Sequence, residues 1–217
     1  MIVKNAKDTI EWYNKNAVAY SQAANAHSSA HGQEQIDQFV NLLPKNTLVL
    51  DVGCGSGRDT NILIKNGLRA IGIDLSSGLI EVARKTFPTL EFIEGDMTSL
   101  PFEDTRFEGI WAHASLLHLE TVEDVKKALS EFCRVLKQNG VLHVMVKAQT
   151  GKEKTAIVTD SLSKHDRFFQ YFTKPEMESL LSGSGFETIL LEQYKETDRN
   201  PQGRPEVEWI LALAKKK

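Results

Sequence analysis

A glycine-rich stretch, residues 51–57, is the part of the sequence with the clearest potential for chemistry. It follows an apolar run typical of a β-strand, and Gly53, Gly55 and Gly57 alternate with other residues inside it. Glycine lets the backbone turn tightly and lets a ligand approach the main chain where a Cβ would collide. If a helix begins after this turn, its free N–H groups can receive an anionic group. The stretch therefore predicts a ligand-binding turn, with a tight turn that binds nothing as the alternative.

Two acidic residues end the next two apolar runs. Asp74 closes residues 71–74, and Asp96 closes residues 92–96. Ligands in open α/β sheets bind at the carboxyl ends of the strands, where a carboxylate such as Asp74 can accept both hydroxyls of a ribose. Asp96 could accept a hydrogen bond from the exocyclic amine of a purine. Either acid alone could be a solvated loop residue or a helix cap, but with the glycine turn they predict a nucleoside site.

The spacing of the glycines narrows the class of nucleoside ligand. A dinucleotide-binding turn has the pattern G-x-G-x-x-G, and here Arg58 occupies the position of the third glycine. A P-loop is excluded because no Gly-Lys-Ser/Thr follows the turn. We therefore expect a ligand without a pyrophosphate or triphosphate.

His118 is the candidate acid–base residue, because it follows the strand predicted at residues 107–112 and imidazole titrates near neutral pH. The alternative is a half-buried histidine that is hydrogen-bonded to the backbone. His113 is interpreted as structural or as part of the pocket wall. His27 and His31 could ligate a metal from one face of a helix, but no matching third ligand is evident, so no metal site is predicted.

The elements that position these residues alternate between strands and helices from residue 47 to residue 147. Strands are predicted at 47–51, 69–73, 90–93, 107–112 and 141–146. The clearest helix covers residues 122–136, with Thr121 as its cap and Gly140 just beyond its end. Strands separated by helices in this way imply parallel pairing with right-handed crossovers, which is a doubly wound α/β sheet.

The flanking segments have a different character. Residues 6–43 look mostly helical and are expected to form a lid, whereas the polar residues 149–166 are expected to form a surface loop. Residues 173–176 fit a capping box that opens a short helix. The β-rich runs at 187–194 and 207–214 are expected to pair as an antiparallel hairpin.

Residues 51–57, Asp74, residues 95–97 and the strand at 107–112 together resemble the class I S-adenosylmethionine-dependent methyltransferases. The resemblance spans residues 47–147. It implies a Rossmann-like three-layer α/β sandwich with a seven-stranded, mostly parallel sheet in the order 3-2-1-4-5-7-6, strand seven being antiparallel. We expect one domain over residues 1–217, with a helical lid (1–43), a cofactor-binding core (47–147) and an acceptor-side region (148–217).

The resemblance also implies S-adenosylmethionine as cofactor and a role for each matched residue. Its methionyl portion would be lined by Gly53, Cys54, Gly55 and Gly57. Asp74 would bind the ribose hydroxyls with Leu75 against the adenine, Asp96 would meet the adenine amine, Met97 would flank the base, and Ala112 would lie near the sulfonium. His118 and Tyr20 resemble residues that face the acceptor and the methionyl group, so they are the catalytic candidates. For Tyr20 the alternative is a core aromatic on an amphipathic helix.

Composition and missing motifs favour a small-molecule methyl acceptor. The formal net charge of −3 argues against a nucleic-acid groove, which needs a basic face. An Asn/Asp-Pro-Pro-Tyr motif after strand four and a Pro-Cys nucleophile are both absent. No apolar run reaches the length of a membrane helix, and with only two cysteines we expect a cytoplasmic protein. The alternatives are a transfer-RNA methyltransferase, a non-catalytic cofactor-binding module and, against the glycine spacing, a nicotinamide-dependent oxidoreductase.

Overall fold

The computed structural model describes residues 4–26, 31–159, 165–199, 204 and 206–217. The helices are α1 (Ala6–Ala26), α2 (His31–Val40), α3 (Arg58–Lys65), α4 (Ser77–Thr86), α5 (Val122–Val135), α6 (Lys174–Gly183) and α7 (Glu196–Arg199). The strands are β1 (Leu48–Val52), β2 (Arg69–Asp74), β3 (Glu91–Glu94), β4 (Phe107–His113), β5 (Leu136–Lys147), β6 (Thr155–Thr159), β7 (Asp166–Gln170), β8 (Phe186–Lys195) and β9 (Glu208–Lys216). A single 3₁₀ turn covers Leu116–His118.

Seven strands form the main sheet in the order β3-β2-β1-β4-β5-β9-β8. Strands β1 to β5 are parallel, and β9 pairs antiparallel with both β5 and β8. Since β6 and β7 lie outside this sheet, its order is the expected 3-2-1-4-5-7-6 with an antiparallel seventh strand. The predicted fold class and C-terminal hairpin are confirmed.

Helices cover both faces of the sheet because its central strands are apolar on both sides. Neighbouring residues of β1 point to opposite faces: Val49 packs with α2 and α3, whereas Leu50 packs with α5 and α6. The two apolar layers produce the three-layer sandwich. Because β1, β2, β3 and β4 pair in parallel, their carboxyl ends lie at one edge, where the predicted site residues lie.

The start of α5 was predicted correctly and its end to within one residue, but the role given to Gly140 was wrong. Thr121 caps the helix by accepting a hydrogen bond from the Asp124 N–H at 3.1 Å. The helix ends at Val135, however, and Gly140 lies inside β5. The reason is that the N–H groups of Thr105 and Arg106 bond to the carbonyls of Arg134 and Val135, so the chain enters strand pairing directly.

The prediction of a surface loop at residues 149–166 was wrong for part of that segment. Strands β6 and β7 form a separate antiparallel ribbon. The β-branched residues of β6 suit an extended backbone, and β7 buries Phe168 and Phe169. The capping box at Thr173 and Glu176 is present as predicted.

Helix α1 is attached to two parts of the molecule. Its Thr9 hydroxyl accepts a hydrogen bond from the Phe168 N–H of β7 at 2.9 Å. Further along, the Asn14 side-chain oxygen accepts hydrogen bonds from the Ser76 hydroxyl at 2.7 Å and from the Gly78 N–H at 3.2 Å. Because β7 and α4 stand on either side of the carboxyl edge of the sheet, α1 extends across that edge. None of the helices that the structure describes has the length and apolarity needed to cross a membrane.

Candidate ligand site at the carboxyl edge of the sheet

A cavity of about 820 Å³ opens at the carboxyl ends of β1, β2 and β4. Its wall includes the glycine turn on one side and residues of α1, the 3₁₀ turn and β7 on the other. Nine of the eleven residues predicted from the sequence line it: Tyr20, Gly53, Cys54, Gly55, Asp74, Leu75, Asp96, Met97 and His118. Residues far apart in the sequence therefore meet around one space.

The backbone angles and close contacts of the glycine turn explain why glycine occupies these positions. Gly53 has a φ of 72°, and a Cβ there would lie 2.3 Å from the Ser115 Cβ, so the turn can approach the end of β4 only with glycine. Gly55 has a φ of 54°, and a Cβ there would meet nothing within 4 Å. The face of Gly55 is thus open to the cavity, as a ligand lying against the main chain would require.

Gly57 and Ala112 are the two predicted cofactor residues that lie outside the cavity wall. Gly57 precedes α3 with a φ of 83°, and a Cβ there would lie 2.5 Å from the Phe92 ring. Ala112 is fully buried in the core, whereas its neighbours His113 and Ala114 line the cavity. For these two residues the structure favours packing beneath the site over contact with a ligand.

Asp74 is held rigidly by the backbone around it. One carboxylate oxygen accepts a hydrogen bond from the Gly55 N–H and the other from the Ser76 N–H, both at 2.8 Å. Burial raises the pKa of Asp74, and these N–H groups oppose that rise. Each oxygen keeps acceptor capacity toward the cavity, because an ionised carboxylate has about four lone-pair sites.

Apolar and polar groups beside Asp74 complete this end of the cavity. The Leu75 side chain is 46% exposed, which is unusual for a large apolar residue and leaves a free face next to the carboxylate. Asp96 is exposed and accepts a hydrogen bond from the Thr98 N–H at 2.8 Å. The buried Ser115 hydroxyl has no hydrogen-bond partner within the part of the chain that the structure describes. An adenosine-like ligand fits this set, since it offers hydroxyls, an amine and an apolar ring.

His118 occupies the other end of the cavity with a defined tautomer. Its Nδ1 lies 3.0 Å from the Phe168 carbonyl oxygen, and because a carbonyl only accepts, Nδ1 carries the hydrogen. In the neutral ring Nε2 is then an acceptor, and it lies 3.4 Å from the Tyr13 hydroxyl. The Tyr13 hydroxyl in turn accepts a hydrogen bond from Arg167 Nη1 at 2.7 Å.

Sequence reasoning selected Tyr20 and missed Tyr13. Both line the cavity, and their rings contact each other at 4.9 Å. Tyr13 is 5% exposed, and burial raises the pKa of its hydroxyl well above the ordinary value. The two tyrosines are seven residues apart, a spacing that would place them on one face of a regular helix, and this was the available signal. Helix α1 is kinked at Asn16, between the two tyrosines, so their contact depends on the observed geometry and not on spacing alone.

Beneath the glycine turn, a buried polar network supports the site. Asp51 accepts a hydrogen bond from the Thr60 hydroxyl at 2.6 Å, and Asp59 accepts one from the Trp111 indole at 3.2 Å. Burial raises the pKa of Asp59, but Arg58 and His113 outweigh it and bring that pKa to about 2. The His113 ring stacks on Trp111 and lies 3.3 Å from His143, and burial lowers the pKa of His113 to about 4.

The described ranges contain no group of three or more His, Cys, Asp or Glu side chains placed to hold a metal ion. The predicted pair His27 and His31 is not tested, because His27 and the side chain of His31 lie outside the described residues.

Arg167 lines the cavity, whereas Tyr171 lines a smaller cavity of about 320 Å³ beside it.

Comparisons with known proteins agree with this geometry. A family profile described as "Methyltransferase domain" matches residues 50–144. The chain is 38% identical over 96 residues to a demethylmenaquinone methyltransferase of Renibacterium salmoninarum, an alignment that covers 44% of the chain and 39% of the relative. It is 33% identical over 148 residues to a ubiquinone/menaquinone biosynthesis C-methyltransferase of Campylobacter jejuni, covering 63% of the chain and 62% of the relative. The chain thus spans less than two thirds of these relatives.

A solved structure extends the similarity to the whole fold. The 1,6-didemethyltoxoflavin-N1-methyltransferase of Burkholderia thailandensis, solved with bound 1,6-didemethyltoxoflavin and S-adenosylhomocysteine, aligns with a TM-score of 0.72. That alignment covers 100% of this chain and 92% of the other at 18% identity, so it shows a shared fold.

Proposed function

We propose that the protein is a class I S-adenosylmethionine-dependent methyltransferase that transfers a methyl group to a small organic acceptor, because residues 50–144 match a methyltransferase-domain profile. One observation carries the proposal. The residues suited to adenosine and the predicted acid–base candidate line the same cavity. A bound cofactor and an acceptor can therefore meet inside it.

At the cofactor end, each proposed contact follows from the groups present. Asp74 is oriented by two backbone N–H groups, so its remaining lone pairs can accept the ribose hydroxyls. Leu75 and Met97 offer apolar contact to the adenine ring, and Asp96 offers an acceptor for its amine. The open face at Gly55 accommodates the methionyl portion against the main chain.

When bound, S-adenosylmethionine supplies a methyl group on a sulfonium, which a nucleophile displaces in line. The task left to the protein is to hold the acceptor in the correct position and to keep water out. Helix α1 suits that task because it crosses the carboxyl edge of the sheet and is fastened on both sides, through Thr9 and Asn14. Residues 1–43 would act as the lid, 47–147 as the cofactor core and 148–217 as the acceptor side.

His118 is the proposed acid–base group for an acceptor that must lose a proton. The hydrogen bond from Nδ1 to the Phe168 carbonyl makes Nε2 the basic nitrogen of the neutral ring, which is the atom that would take that proton. The Tyr13 hydroxyl lies against Nε2, so it can position the ring or relay the proton. An acceptor that is already deprotonated would need neither residue as a base.

The formal net charge of −3, together with the size of the cavity, supports a small molecule over transfer RNA. We place the protein in the cytoplasm, because its two cysteines, Cys54 and Cys133, are both free thiols.

Two measurements test the proposal. Isothermal titration calorimetry should detect binding of S-adenosylhomocysteine and no binding of NADH. Incubation with methyl-labelled S-adenosylmethionine and a panel of small metabolites should then transfer label to at least one of them. Binding of NADH in place of S-adenosylhomocysteine would refute the cofactor, and cofactor binding without transfer to any acceptor would favour a non-catalytic module.

A further inference from the structure

Phe168 on β7 connects helix α1 to the His118 ring through its two backbone groups. Its N–H donates a hydrogen bond to the Thr9 hydroxyl at 2.9 Å, and its carbonyl oxygen lies 3.0 Å from His118 Nδ1. In an antiparallel ribbon such as that of β6 and β7, the backbone groups of alternate residues point away from the partner strand. Phe168 uses one of these outward groups for α1 and the other for the 3₁₀ turn that contains His118.

Thr9 is fully buried, although its side chain is polar. Its hydroxyl lies 3.3 Å from the Asn5 carbonyl oxygen one helical turn earlier, and because a carbonyl only accepts, the hydroxyl donates there. The lone pairs of the hydroxyl oxygen then face the Phe168 N–H, a buried donor that would be costly to leave without an acceptor. Thr9 itself does not line the cavity, so it can influence the site only through Phe168.

A second contact joins α1 to the same histidine. Tyr13 follows Thr9 by four residues, which places both side chains on one face of the helix, before the kink at Asn16. The Tyr13 hydroxyl lies 3.4 Å from His118 Nε2. Helix α1 thus reaches both nitrogens of the ring, Nε2 directly and Nδ1 by way of the Phe168 backbone.

The partner of Nδ1 decides which tautomer His118 adopts. A neutral imidazole carries its hydrogen on one nitrogen only, and hydrogen bonding selects which one. The Phe168 carbonyl can only accept, so it selects hydrogen on Nδ1 and makes Nε2 the basic nitrogen. If that carbonyl moved out of reach, the hydrogen could occupy Nε2 and point at the Tyr13 oxygen, which can accept it. The ring would then offer no basic nitrogen on the side of Tyr13.

We propose that Thr9 is a positioning residue, which acts through the backbone of Phe168 to keep the hydrogen of His118 on Nδ1 and the basic Nε2 toward Tyr13. This inference rests on the proposed function and adds to it a residue that lies outside the cavity. Loss of the Thr9 hydroxyl releases the Phe168 N–H, loosens the edge of β7 and weakens the bond that selects the tautomer. The transfer step then slows for an acceptor that must lose a proton, whereas cofactor binding does not change.

The test compares Thr9→Val with the wild type by NMR of protein that carries isotope-labelled histidine, at a pH high enough for the ring to be neutral. Proton–nitrogen correlations report which nitrogen of each ring carries the hydrogen, and His118→Gln identifies the His118 signals among those of the six histidines. In the wild type we expect hydrogen on Nδ1. Valine matches threonine in shape and helix propensity, so Thr9→Val removes little besides the hydroxyl. The ratio of the Nδ1–H form to the Nε2–H form should fall about fivefold, the factor that one hydrogen bond is worth.

Kinetics and calorimetry extend the comparison to function. For an acceptor that loses a proton, kcat/KM of Thr9→Val should fall in proportion to the Nδ1–H fraction. The dissociation constant of S-adenosylhomocysteine should stay within about a factor of two, because Thr9 does not line the cavity.

Thr47→Val is the matched control. Thr47 is also buried, and its hydroxyl donates a hydrogen bond to the Pro44 carbonyl at 2.6 Å, next to the amino end of β1 and away from the cavity. This variant should lose stability without any change in the His118 tautomer. Thr9→Ser keeps the hydroxyl and should keep the wild-type tautomer. If Thr9→Val does not fold, Thr9→Cys takes its place, because a thiol is only a weak acceptor and differs from the serine side chain by one atom.

Three results would overturn the inference: hydrogen on Nε2 in the wild type, an unchanged tautomer in Thr9→Val or Thr9→Cys, or an equal change in Thr47→Val. An equal change in Thr9→Ser would also do so, because packing of the methyl group would then be responsible. If the wild type methylates no acceptor, the proposed function fails, and the tautomers still decide whether Thr9 holds the His118 ring.

Discussion

The Tyr13 hydroxyl lies 3.4 Å from His118 Nε2 and accepts a hydrogen bond from Arg167 at 2.7 Å. These three residues come from α1, from the turn after β4 and from β7. Their contact means that the position of α1 helps to set the orientation of the His118 ring.

Tyr13→Phe tests whether this contact matters for turnover. The substitution keeps the ring but leaves Arg167 Nη1 and His118 Nε2 without the hydroxyl. We expect kcat/KM for the acceptor found with labelled cofactor to fall about tenfold or more, since polar groups in a buried site lose a partner. The affinity for S-adenosylhomocysteine should stay within about a factor of two, because Tyr13 lies at the other end of the cavity.

Tyr171→Phe is the matched control, because Tyr171 is half-buried and lies outside the main cavity. It should retain wild-type kcat/KM. If both variants lose activity equally, the hydroxyl of Tyr13 has no special part in the reaction. A Tyr13 variant that changes kcat/KM should also change its pH profile, which a purely structural defect would not do.

Asp74→Ala tests the proposed ribose contact. We expect the affinity for S-adenosylhomocysteine to fall by about 1 to 3 kcal/mol, the cost of unmet polar groups. The Gly55 and Ser76 N–H groups also lose their acceptor, so some loss of stability should accompany it. Calorimetry at a temperature where the variant is folded separates the two effects.

Glu94→Ala is the control, because Glu94 is exposed at the end of β3 and does not line the cavity. An unchanged dissociation constant for Asp74→Ala, with Glu94→Ala also unchanged, would show that Asp74 does not bind the cofactor.

Gly55 and Gly57 of the turn should respond differently to substitution by alanine. In Gly57→Ala the new Cβ would overlap Phe92, so unfolding free energy should fall by about 1 to 3 kcal/mol from overpacking, in addition to the strain of a positive φ. In Gly55→Ala the strain of a positive φ remains but the Cβ meets only the cavity, so stability should fall less than in Gly57→Ala and cofactor affinity should fall as well.

Gly67→Ala provides the reference, because Gly67 has a φ of 89° and a Cβ added there would have no neighbour within 4 Å. Urea denaturation of the variants measures stability, and calorimetry measures cofactor binding. Equal destabilisation of Gly55→Ala and Gly57→Ala would contradict the packing role assigned to Gly57.

The sequence predicted which residues line the cavity beside the glycine turn, because these residues sit at strand ends, a local feature of each strand. Gly53, Asp74 and Asp96 each follow a short apolar run, and parallel pairing then brings the runs together. The acceptor end depends on contacts between distant segments. Helical spacing suggests that Tyr13 and Tyr20 are neighbours, but the kink of α1 at Asn16 and its packing against β7 decide which hydroxyl meets His118.

Similar reasons explain the two errors in the fold. Gly140 looked like a helix stop, whereas the backbone of Thr105 and Arg106 supplies the partners that end α5. The ribbon of β6 and β7 was missed because its apolar face comes from β7 packing beneath α1, through contacts such as Phe168 with Thr9. Such long-range contacts leave no periodic signal in a polar segment.

Finally, the stacked pair His113 and His143 should make stability depend on pH. Burial lowers the pKa of His113 to about 4 and that of His143 well below its ordinary value, so both rings stay neutral in the folded protein as the pH falls. The unfolded chain binds protons on them below pH ~6.5, so it binds more protons than the folded chain and stability falls with falling pH. One such buried histidine lowers the free energy of unfolding by about 2 kcal/mol between pH 7 and pH 5. His143→Phe keeps the ring against Trp111 and removes one such group, so its stability should fall less than that of the wild type over this range. The stability of the control His165→Phe, which changes an exposed ring, should show the same pH dependence as that of the wild type. Urea denaturation at each pH measures these stabilities. An identical pH dependence of His143→Phe and the wild type would contradict a neutral buried pair.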